Sequence, residues 1–208
     1  MRQKGFTLVE IAIVLVIVGL LLGGVLKGQE LIVQARIKNI ANDMNSIAAA
    51  IYGYQDRYRK LPGDDDQANS RWTSTAAGDG NGIIGAVGTK AFLDCTPGDK
   101  TPENCLLWQH LRRAGFISGD AASSIAPSHA AGGTLQIQSG ALEMSGQVIC
   151  ASNLPAKIAN AIDAQIDDGK PNSGQVRATT SPAALDKNGS DVSYDETANN
   201  AYTLCKAL

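Results

Sequence analysis

The sequence predicts an α+β protein in which one long N-terminal helix packs on a globular head that contains a small antiparallel sheet. Three observations support this class. An almost continuously apolar segment of 21 residues runs from Phe6 to Leu26, and a helix of about 20 residues spans the hydrocarbon core of a bilayer. Apolar residues at helical spacing then continue to Tyr58. The remainder, residues 62–208, is rich in Gly, Ala, Ser, Asp and Asn and contains short helix and strand patterns.

The apolar segment predicts a membrane anchor whose N-terminus lies in the cytoplasm. Arg2 and Lys4 precede the segment, and positive residues flank the cytoplasmic end of a membrane helix. A secretory signal peptide fits poorly, because the basic region is short and no small-residue cleavage site closes the segment. The alternative of an uncleaved anchor leaves Glu10 unexplained, since an unpartnered carboxylate inside a bilayer is strongly destabilising.

A short motif at the start of the chain accounts for this carboxylate. Residues 4–10 read Lys-Gly-Phe-Thr-Leu-Val-Glu, which resembles the processing site of type IV prepilins and of type II secretion pseudopilins. The resemblance implies that a prepilin peptidase cuts between Gly5 and Phe6 and methylates the new N-terminal residue, Phe6, so that residues 1–5 form a leader peptide. Glu10 then becomes the fifth residue of the mature chain, where the family has its glutamate.

The resemblance implies a filament building block. Pairing of Glu10 with the amino group of Phe6 on an adjacent copy would neutralise two charges in the membrane and set the register of a filament. The implied partners are prepilin peptidase, other pilin or pseudopilin subunits, the inner-membrane assembly platform and inner-membrane lipid. The implied location is the bacterial inner membrane, as a single-pass protein with a periplasmic head, and then a periplasmic or cell-surface filament.

One helix is predicted from Phe6 to about Lys60. Residues 6–26 form its transmembrane and assembly half, and residues 27–61 form an amphipathic stalk. Glycines four residues apart, at 19 and 23 and at 24 and 28, either let helices approach closely in lipid or merely loosen the helix. The sequence Leu61-Pro62-Gly63 is predicted to end the stalk. The apolar stripe of the stalk comprises Val33, Ile37, Ile40, Met44, Ile47, Ile51, Tyr54 and Tyr58.

The head, residues 62–208, is predicted to contain two helices and several short strands. The first helix is Leu106–Ala114, with His110 and Arg112-Arg113 on a solvated face. The second is Leu154–Ile166, with Ser152 or Asn153 as its cap. Predicted strands cover Thr134–Gln138 and Gln147–Cys150, with further edge strands at Gln175–Ala178 and Ala201–Ala207.

Four cysteines, all in the head, are predicted to form two disulfides. Their number is even, they include no C-x-x-C pair, and the chain has only two histidines, which argues against a zinc site. Three pairings are possible, and four free thiols are the alternative. We favour Cys95–Cys105, which closes a short loop, and Cys150–Cys205, which ties the last segment to a central strand. Disulfides place the head in an oxidising compartment, the periplasm or the cell exterior.

An irregular stretch at the start of the head is a candidate cation site. It contains Asp64, Asp65 and Asp66, and then Gly-Asp-Gly-Asn-Gly at residues 78–82. Ca²⁺ binds about six to eight oxygen ligands, and Asp79 and Asn81 have the spacing of two calcium-loop ligands, although no closing glutamate follows. The alternative is that these Asp, Asn and Gly residues only form turns.

Charge and motif content narrow the remaining functions. Residues 1–61 have eight Lys and Arg against four Asp and Glu, and residues 62–208 have ten against sixteen. An acidic head does not suit a phosphate backbone, so no nucleic-acid partner is expected. The sequence has no P-loop, G-x-S-x-G or H-E-x-x-H motif, and an enzyme is not predicted.

The sequence does not decide between two filament systems. The predicted filament subunit is either a type II secretion pseudopilin or a type IV pilin, major or minor. The alternative is a membrane-anchored periplasmic binding module that does not polymerise.

Overall fold

The computed structural model describes residues 7–85, 95, 102–181, 185 and 193–208. The chain forms two compact units, residues 1–36 and residues 37–208, and each is described by itself. The class is α+β, as predicted. The helices are α1 (Leu8–Tyr58), α2 (Ala68–Arg71), α3 (Glu103–Arg113) and α4 (Ala156–Ile166), and the strands are β1 (Leu135–Ala141), β2 (Met144–Pro155), β3 (Val176–Thr179) and β4 (Ala201–Ala207).

Helix α1 has 51 residues and confirms the predicted long N-terminal helix. It ends at Tyr58, slightly before the predicted Lys60, because Arg59 takes a left-handed conformation with a φ of 56°. The Arg59 amide still donates a 2.8 Å hydrogen bond to the Gln55 carbonyl, and a left-handed residue at this place ends the helical pattern. The predicted stop at Pro62 therefore lies beyond the true end. The predicted start at Phe6 lies outside the described residues.

The C-terminal half of α1 buries the stripe that its spacing predicts. In the unit of residues 37–208 the sheet also buries apolar side chains, among them Ile137, Ile149 and Leu204. A 2.7 Å hydrogen bond from the Lys206 ammonium to the Asn45 side-chain oxygen also joins β4 to the helix. The buried members of the stripe are Ile37, Ile40, Met44, Ile47, Ile51 and Tyr54, and the flanking Val33 and Tyr58 are half-buried.

The four strands form one antiparallel sheet in the order β1-β2-β4-β3. Strands β1 and β2 are joined by a tight turn at Leu142 and Glu143, whose φ angles are 49° and 63°. Strand β3 lies at an edge, as predicted for that segment. Strand β4 pairs with β2 on one side and β3 on the other, so the prediction that it forms an edge was wrong. Its two neighbours come from distant parts of the chain, which a local pattern does not reveal.

Loop segments cover part of both sheet edges. On β1, the Leu135 amide donates to the Pro127 carbonyl at 2.9 Å and the Ser139 amide donates to the Ile84 carbonyl at 3.0 Å. On β3, the amide of Ala178 donates to the carbonyl of Pro171 at 2.9 Å. Part of the hydrogen-bonding capacity of the edge strands is therefore used inside the molecule.

Helix α4 begins at Ala156, later than the predicted start at Leu154. Strand β2 continues to Pro155, and Leu154 pairs with Tyr202 of β4. The four-residue apolar spacing that includes Leu154 favoured a helix, but cross-strand pairing decides the conformation of this residue.

The predicted cap of α4 was wrong. Pro155 occupies the capping position and makes no side-chain hydrogen bond there. Asn153 has a φ of 55° at a shift in the pairing register of β2. The Ser152 hydroxyl instead accepts a 3.0 Å hydrogen bond from the Thr134 amide. Both predicted capping residues thus belong to an irregular section of strand.

Helix α3 is longer than predicted and is buried on every side. It begins at Glu103, and all residues from Asn104 to Leu111 are buried. His110 is 0% exposed, and Arg112 is half-buried and donates to the carbonyls of Ser123 and Ile125 at 2.7 Å. The predicted solvated face was therefore wrong, because a helix that is covered all round has no polar stripe to predict.

The structure contains the two disulfides that the sequence favours. Cys95 and Cys105 have Cα atoms 5.6 Å apart. Cys150 and Cys205 have Cα atoms 4.0 Å apart and lie directly opposite each other on β2 and β4. The second disulfide therefore joins two central strands of the sheet.

Candidate functional site

The first turn of α1 holds Glu10 at the N-terminus of the helix. The Thr7 carbonyl accepts the first helical hydrogen bond from Ile11, at 3.3 Å. The Glu10 side chain turns back, and its Oε2 accepts hydrogen bonds from the amide and the hydroxyl of Thr7, both at 2.8 Å. In return, the Glu10 amide donates to the Thr7 hydroxyl oxygen at 3.2 Å. This reciprocal arrangement is a capping box, and it satisfies amides that a helix leaves free at its start.

The two predicted processing residues, Gly5 and Phe6, lie outside the described residues. Past Glu10, the unit of residues 1–36 presents apolar side chains to its surroundings, including Leu20 at 72% exposure. In the described part of the chain, α1 is the one helix that is long and apolar enough to cross a membrane. An apolar surface of this extent calls for lipid or for other helices around it.

The glycines of the apolar segment have open space beside them. Apart from the chain neighbours and the backbone of the helix itself, no atom lies within 4 Å of where a Cβ atom would stand at Gly19, Gly23, Gly24 or Gly28. This surface is therefore available for the close approach of another helix in lipid. The alternative that these glycines loosen the helix stays open, since α1 is continuous across them.

Three carboxylates meet at the start of the head. Asp64, Asp79 and Glu103 each place an oxygen within 4.8 Å of the others, close enough to hold a metal ion. Asn81 lies beside them, because its backbone N–H donates to Asp64 Oδ1 at 2.9 Å and to Asp79 Oδ1 at 3.0 Å. The structure thus brings together the carboxylates of two of the five predicted ligands, Asp64 and Asp79, places Asn81 beside them, and adds Glu103, the first residue of α3.

Backbone amides donate hydrogen bonds to the carboxylates of this cluster. Asp64 Oδ2 accepts from Gly82 at 2.8 Å, and the two oxygens of Glu103 accept from Asp79 at 3.1 Å and Gly85 at 3.2 Å. Burial raises the pKa of Asp64 and of Glu103, while the amide hydrogen bonds lower it. The cluster therefore clamps the loop of residues 79–85, and its carboxylate oxygens can also face a cation.

Asp65 and Asp66, the other two predicted ligands, have different partners. Asp65 is buried and accepts a 2.5 Å hydrogen bond from the Tyr54 hydroxyl, and it also pairs with Arg71. Asp66 pairs with Lys60 at 2.9 Å, and the hydrogen bond from Lys60 lowers the pKa of Asp66. The three consecutive aspartates therefore do not form one site.

His110 fastens the segment between α1 and α3 to α3 at two points. Its Nδ1 accepts a 2.9 Å hydrogen bond from the Gly63 amide, and its Nε2 donates to the Ala76 carbonyl at 2.8 Å. Burial lowers the pKa of His110 to about 4, so the ring is neutral at pH 7. Both ring nitrogens are used in structural bonds, which leaves neither for acid–base chemistry.

A second acidic group lies at the C-terminal end of α4. Asp163, Asp167 and Asp168 also place carboxylate oxygens within 4.8 Å of one another. Asp163 accepts from the Tyr194 hydroxyl at 2.7 Å, and burial raises the pKa of Asp163. Asp167 Oδ2 accepts from the Val176 amide at 3.0 Å. This group was not predicted from the sequence; Asp163 lies in the last turn of α4, and Asp167 and Asp168 follow the helix.

Thr7 and Glu103 were not predicted as site residues, for different reasons. Thr7 could have been recognised, because a Thr three residues before a Glu at the start of an apolar run is the pattern of a capping box. No sequence pattern indicates Glu103, since it lies 24 residues after Asp79 and only the fold brings the two together.

The long helix and the four-stranded antiparallel sheet define an α+β protein of pilin-like architecture with an apolar N-terminal segment. Residues 1–26 match the family model of the prokaryotic N-terminal methylation motif. This match covers the first 26 of the 208 residues, and it shows that this segment is similar to the N-terminal methylation motif of type IV pilin-like and pseudopilin substrates of prepilin peptidase. No curated protein matches the chain.

Proposed function

We propose that this protein is a structural subunit of a type IV pilus-like filament, either a type II secretion pseudopilin or a type IV pilin. The observation that carries the proposal is the methylation motif over residues 1–26, whose exposed apolar segment contains one carboxylate, Glu10. In the membrane, lipid covers this helix. In a filament, the helices of neighbouring subunits cover it.

Processing creates a positively charged amino group that can pair with the Glu10 carboxylate. Cleavage between Gly5 and Phe6 frees an amino group, which prepilin peptidase methylates. That amino group and the Glu10 carboxylate lie at similar depth in the membrane. Pairing between adjacent copies neutralises both charges, and an unpaired charge in a bilayer is penalised, so only correctly staggered neighbours are stable.

The proposed organisation follows from this role. Residues 1–5 are the leader, residues 6–26 are the transmembrane and assembly half of the helix, residues 27–61 are the stalk, and residues 62–208 are the periplasmic or extracellular head. The N-terminus of the precursor lies in the cytoplasm, and the disulfides fit an oxidising compartment for the head. The partners are prepilin peptidase, other subunits of the filament and the inner-membrane assembly platform.

The mature N-terminus tests the proposal. Mass spectrometry of the protein from its native host should find a chain that begins at N-methylated Phe6. An intact Met1 would instead favour the membrane-anchored binding module.

The Glu10→Ala variant tests the pairing role. This substitution should leave cleavage largely intact and reduce assembly, and normal incorporation of the variant into filaments would rule out the pairing role.

The choice between the two filament systems needs a separate measurement. Of the two, we favour the secretion pseudopilin, which forms a short periplasmic filament. Fractionation after shearing distinguishes the two, because a pilin appears in sheared surface fibres and a pseudopilin stays with the cells.

We further propose that Asp64, Asp79 and Glu103 bind Ca²⁺. The supporting observation is that Glu103 supplies the third carboxylate, which the loop sequence lacks. Calorimetric titration of the intact protein with millimolar Ca²⁺ tests this, with Glu103→Gln as the variant that should lose the heat of binding. If the unmodified protein gives no heat, the cluster serves only as a loop clamp.

A further inference from the structure

We infer that Asn81 is a site of self-catalysed deamidation, at which the backbone nitrogen of Gly82 attacks the side-chain carbonyl carbon and Asp64 acts as the base. The product at this position is aspartate or isoaspartate. The inference goes beyond the proposed function and depends neither on filament assembly nor on Ca²⁺. It is carried by four polar contacts that meet around one asparagine side chain in the loop of residues 79–85.

The nucleophile of the reaction is the Gly82 nitrogen. A glycine after an asparagine leaves this nitrogen unhindered, because it has no Cβ atom and a wide choice of backbone angles. Gly82 has a φ of 87°, and apart from its chain neighbours no atom lies within 4 Å of where a Cβ atom would stand. Asn81 and Gly82 are both exposed, so water can reach them.

The base is the buried carboxylate of Asp64, which is 3% exposed. Its Oδ2 accepts a 2.8 Å hydrogen bond from the Gly82 N–H, and its Oδ1 accepts a 2.9 Å bond from the Asn81 backbone N–H. A carboxylate at hydrogen-bond distance can take the proton that an attacking nitrogen must lose. The two bonds hold the carboxylate directly beside the peptide group that reacts.

The side chain of Asn81 is oriented and polarised for attack. Its Oδ1 accepts a 2.7 Å hydrogen bond from the Ile83 N–H, which closes an Asx turn over the Gly82 peptide group. A donor on this oxygen stabilises the negative charge that develops there during attack. The leaving group is held as well, since Nδ2 donates to Asp79 Oδ2 at 2.8 Å.

The steps balance with water as the only co-reactant. The Gly82 nitrogen forms a bond to Cγ of Asn81 while its proton passes to Asp64 Oδ2. The bond between Cγ and Nδ2 then breaks, the proton returns from Asp64 to the leaving nitrogen, and ammonia departs. Water opens the resulting succinimide at either of its two carbonyl groups, which gives aspartate or isoaspartate.

The modification alters the carboxylate cluster of Asp64, Asp79 and Glu103. The Nδ2 donor that faces Asp79 is replaced by a carboxylate oxygen, and like charges at this distance repel. Deamidation therefore removes one hydrogen bond from the loop of residues 79–85 and adds one negative charge to the cluster.

A comparison of the folded and the unfolded chain tests the inference without any substitution. The full-length protein is incubated in detergent, or unfolded in guanidinium chloride, in both cases with a chelator so that no divalent cation occupies the carboxylates. Peptide mass spectrometry follows the conversion of the Asn81 amide to an acid. The folded chain should react about 100-fold faster, which is the lower end of the contribution of a positioned base.

The Asp64→Asn variant tests the role of the base, and Asp66→Asn is the matched control. Asp66 pairs with Lys60, and its substitution removes the same charge without changing a contact of Asn81 or Gly82. Asp64→Asn should lower the folded-state rate to near that of the unfolded chain, whereas Asp66→Asn should leave the rate unchanged. Circular dichroism checks that both variants are folded.

Each outcome supports or overturns the inference. Faster reaction in the folded chain, with succinimide or isoaspartate in the digest, supports attack by the Gly82 nitrogen. A folded chain that reacts no faster than the unfolded chain overturns the inference, even if Asp64→Asn fails to fold. An unchanged rate in folded Asp64→Asn rules out the base. None of these results bears on the mature N-terminus, so the proposed function stands or falls separately.

Discussion

The hydroxyl of Tyr54 donates a 2.5 Å hydrogen bond to Asp65, and Asp65 also pairs with Arg71. Tyr54 belongs to α1, whereas Asp65 and Arg71 lie between α1 and α3 along the chain. The Asp65 carboxylate is fully buried, so it is stable there only because donors surround it. The three side chains therefore attach the first loop of the head to the helix.

Removal of the Tyr54 hydroxyl should weaken this attachment. We expect Tyr54→Phe to lower the free energy of unfolding by about 1–3 kcal/mol, since a buried charged acceptor loses one donor. Urea or thermal unfolding of the detergent-solubilised protein measures the change. Tyr52→Phe is the matched control, because Tyr52 lies on the same helix and is 53% exposed. Equal stability of the two variants would contradict the structural role of the Tyr54–Asp65 bond.

The stability of the head should depend on pH through His110. Burial lowers the pKa of His110 from 6.5 to about 4, with the nearby Arg71 charge acting in the same direction. Between these two values the unfolded chain binds a proton that the folded chain does not. The contribution is therefore fully present above pH 6.5 and is lost as the pH falls toward 4, by on the order of 3 kcal/mol.

A comparison of pH profiles isolates this contribution from that of the buried carboxylates. His110→Gln retains a donor and an acceptor but does not titrate. The unmodified protein should lose more stability between pH 7 and pH 4.5 than the variant does, as measured by chemical unfolding at both pH values. Parallel profiles would mean that His110 does not control the acid sensitivity.

The two disulfides should stabilise the head to different extents. Their sequence separations are 10 and 55 residues, and loop-closure entropy gives about 3 and about 4 kcal/mol respectively. We therefore expect the double replacement of Cys150 and Cys205 by Ala to lower the melting temperature more than that of Cys95 and Cys105. Mass spectrometry of the alkylated, non-reduced protein checks the pairing, and four reactive thiols would refute it.

The turn between β1 and β2 contains backbone strain that a glycine would relieve. Leu142 and Glu143 both have positive φ angles, which suit glycine better than other residues. We expect Glu143→Gly to be more stable than Glu143→Ala by about 1 kcal/mol. Both variants lose the ion pair with Arg177, so their difference reports the backbone alone. An alanine variant as stable as the glycine variant would show that the turn is relaxed.

Features that depend on local pattern were predictable from the sequence. The stripe from Ile37 to Tyr54 follows from the helical period, because one face of a helix repeats every three or four residues. The region of the methylation motif follows from a short contiguous segment. Each of these signals is complete within a stretch of consecutive residues, and the structure adds little to it.

Features that depend on contacts between distant segments were not predictable. Leu154 fits a helical period but is held in β2 by its pairing with Tyr202. His110 has a polar side chain on a short helix, and only the surrounding loop makes it buried. Glu103 joins Asp64 because α3 and the loop meet in space. In each case the deciding partner lies far along the chain.

The covered edges of the sheet have a consequence for how copies of the protein can associate. With Leu135 and Ser139 bonded to loops on one side, and Ala178 on the other, the sheet is a poor template for adding strands from another molecule. Growth by strand exchange, the route to unregulated aggregates, is disfavoured in the head. In the proposed filament, subunits would then associate through side-chain surfaces and the N-terminal segment, and the proposed cleavage after Gly5 would be the single proteolytic step by which cells govern its formation.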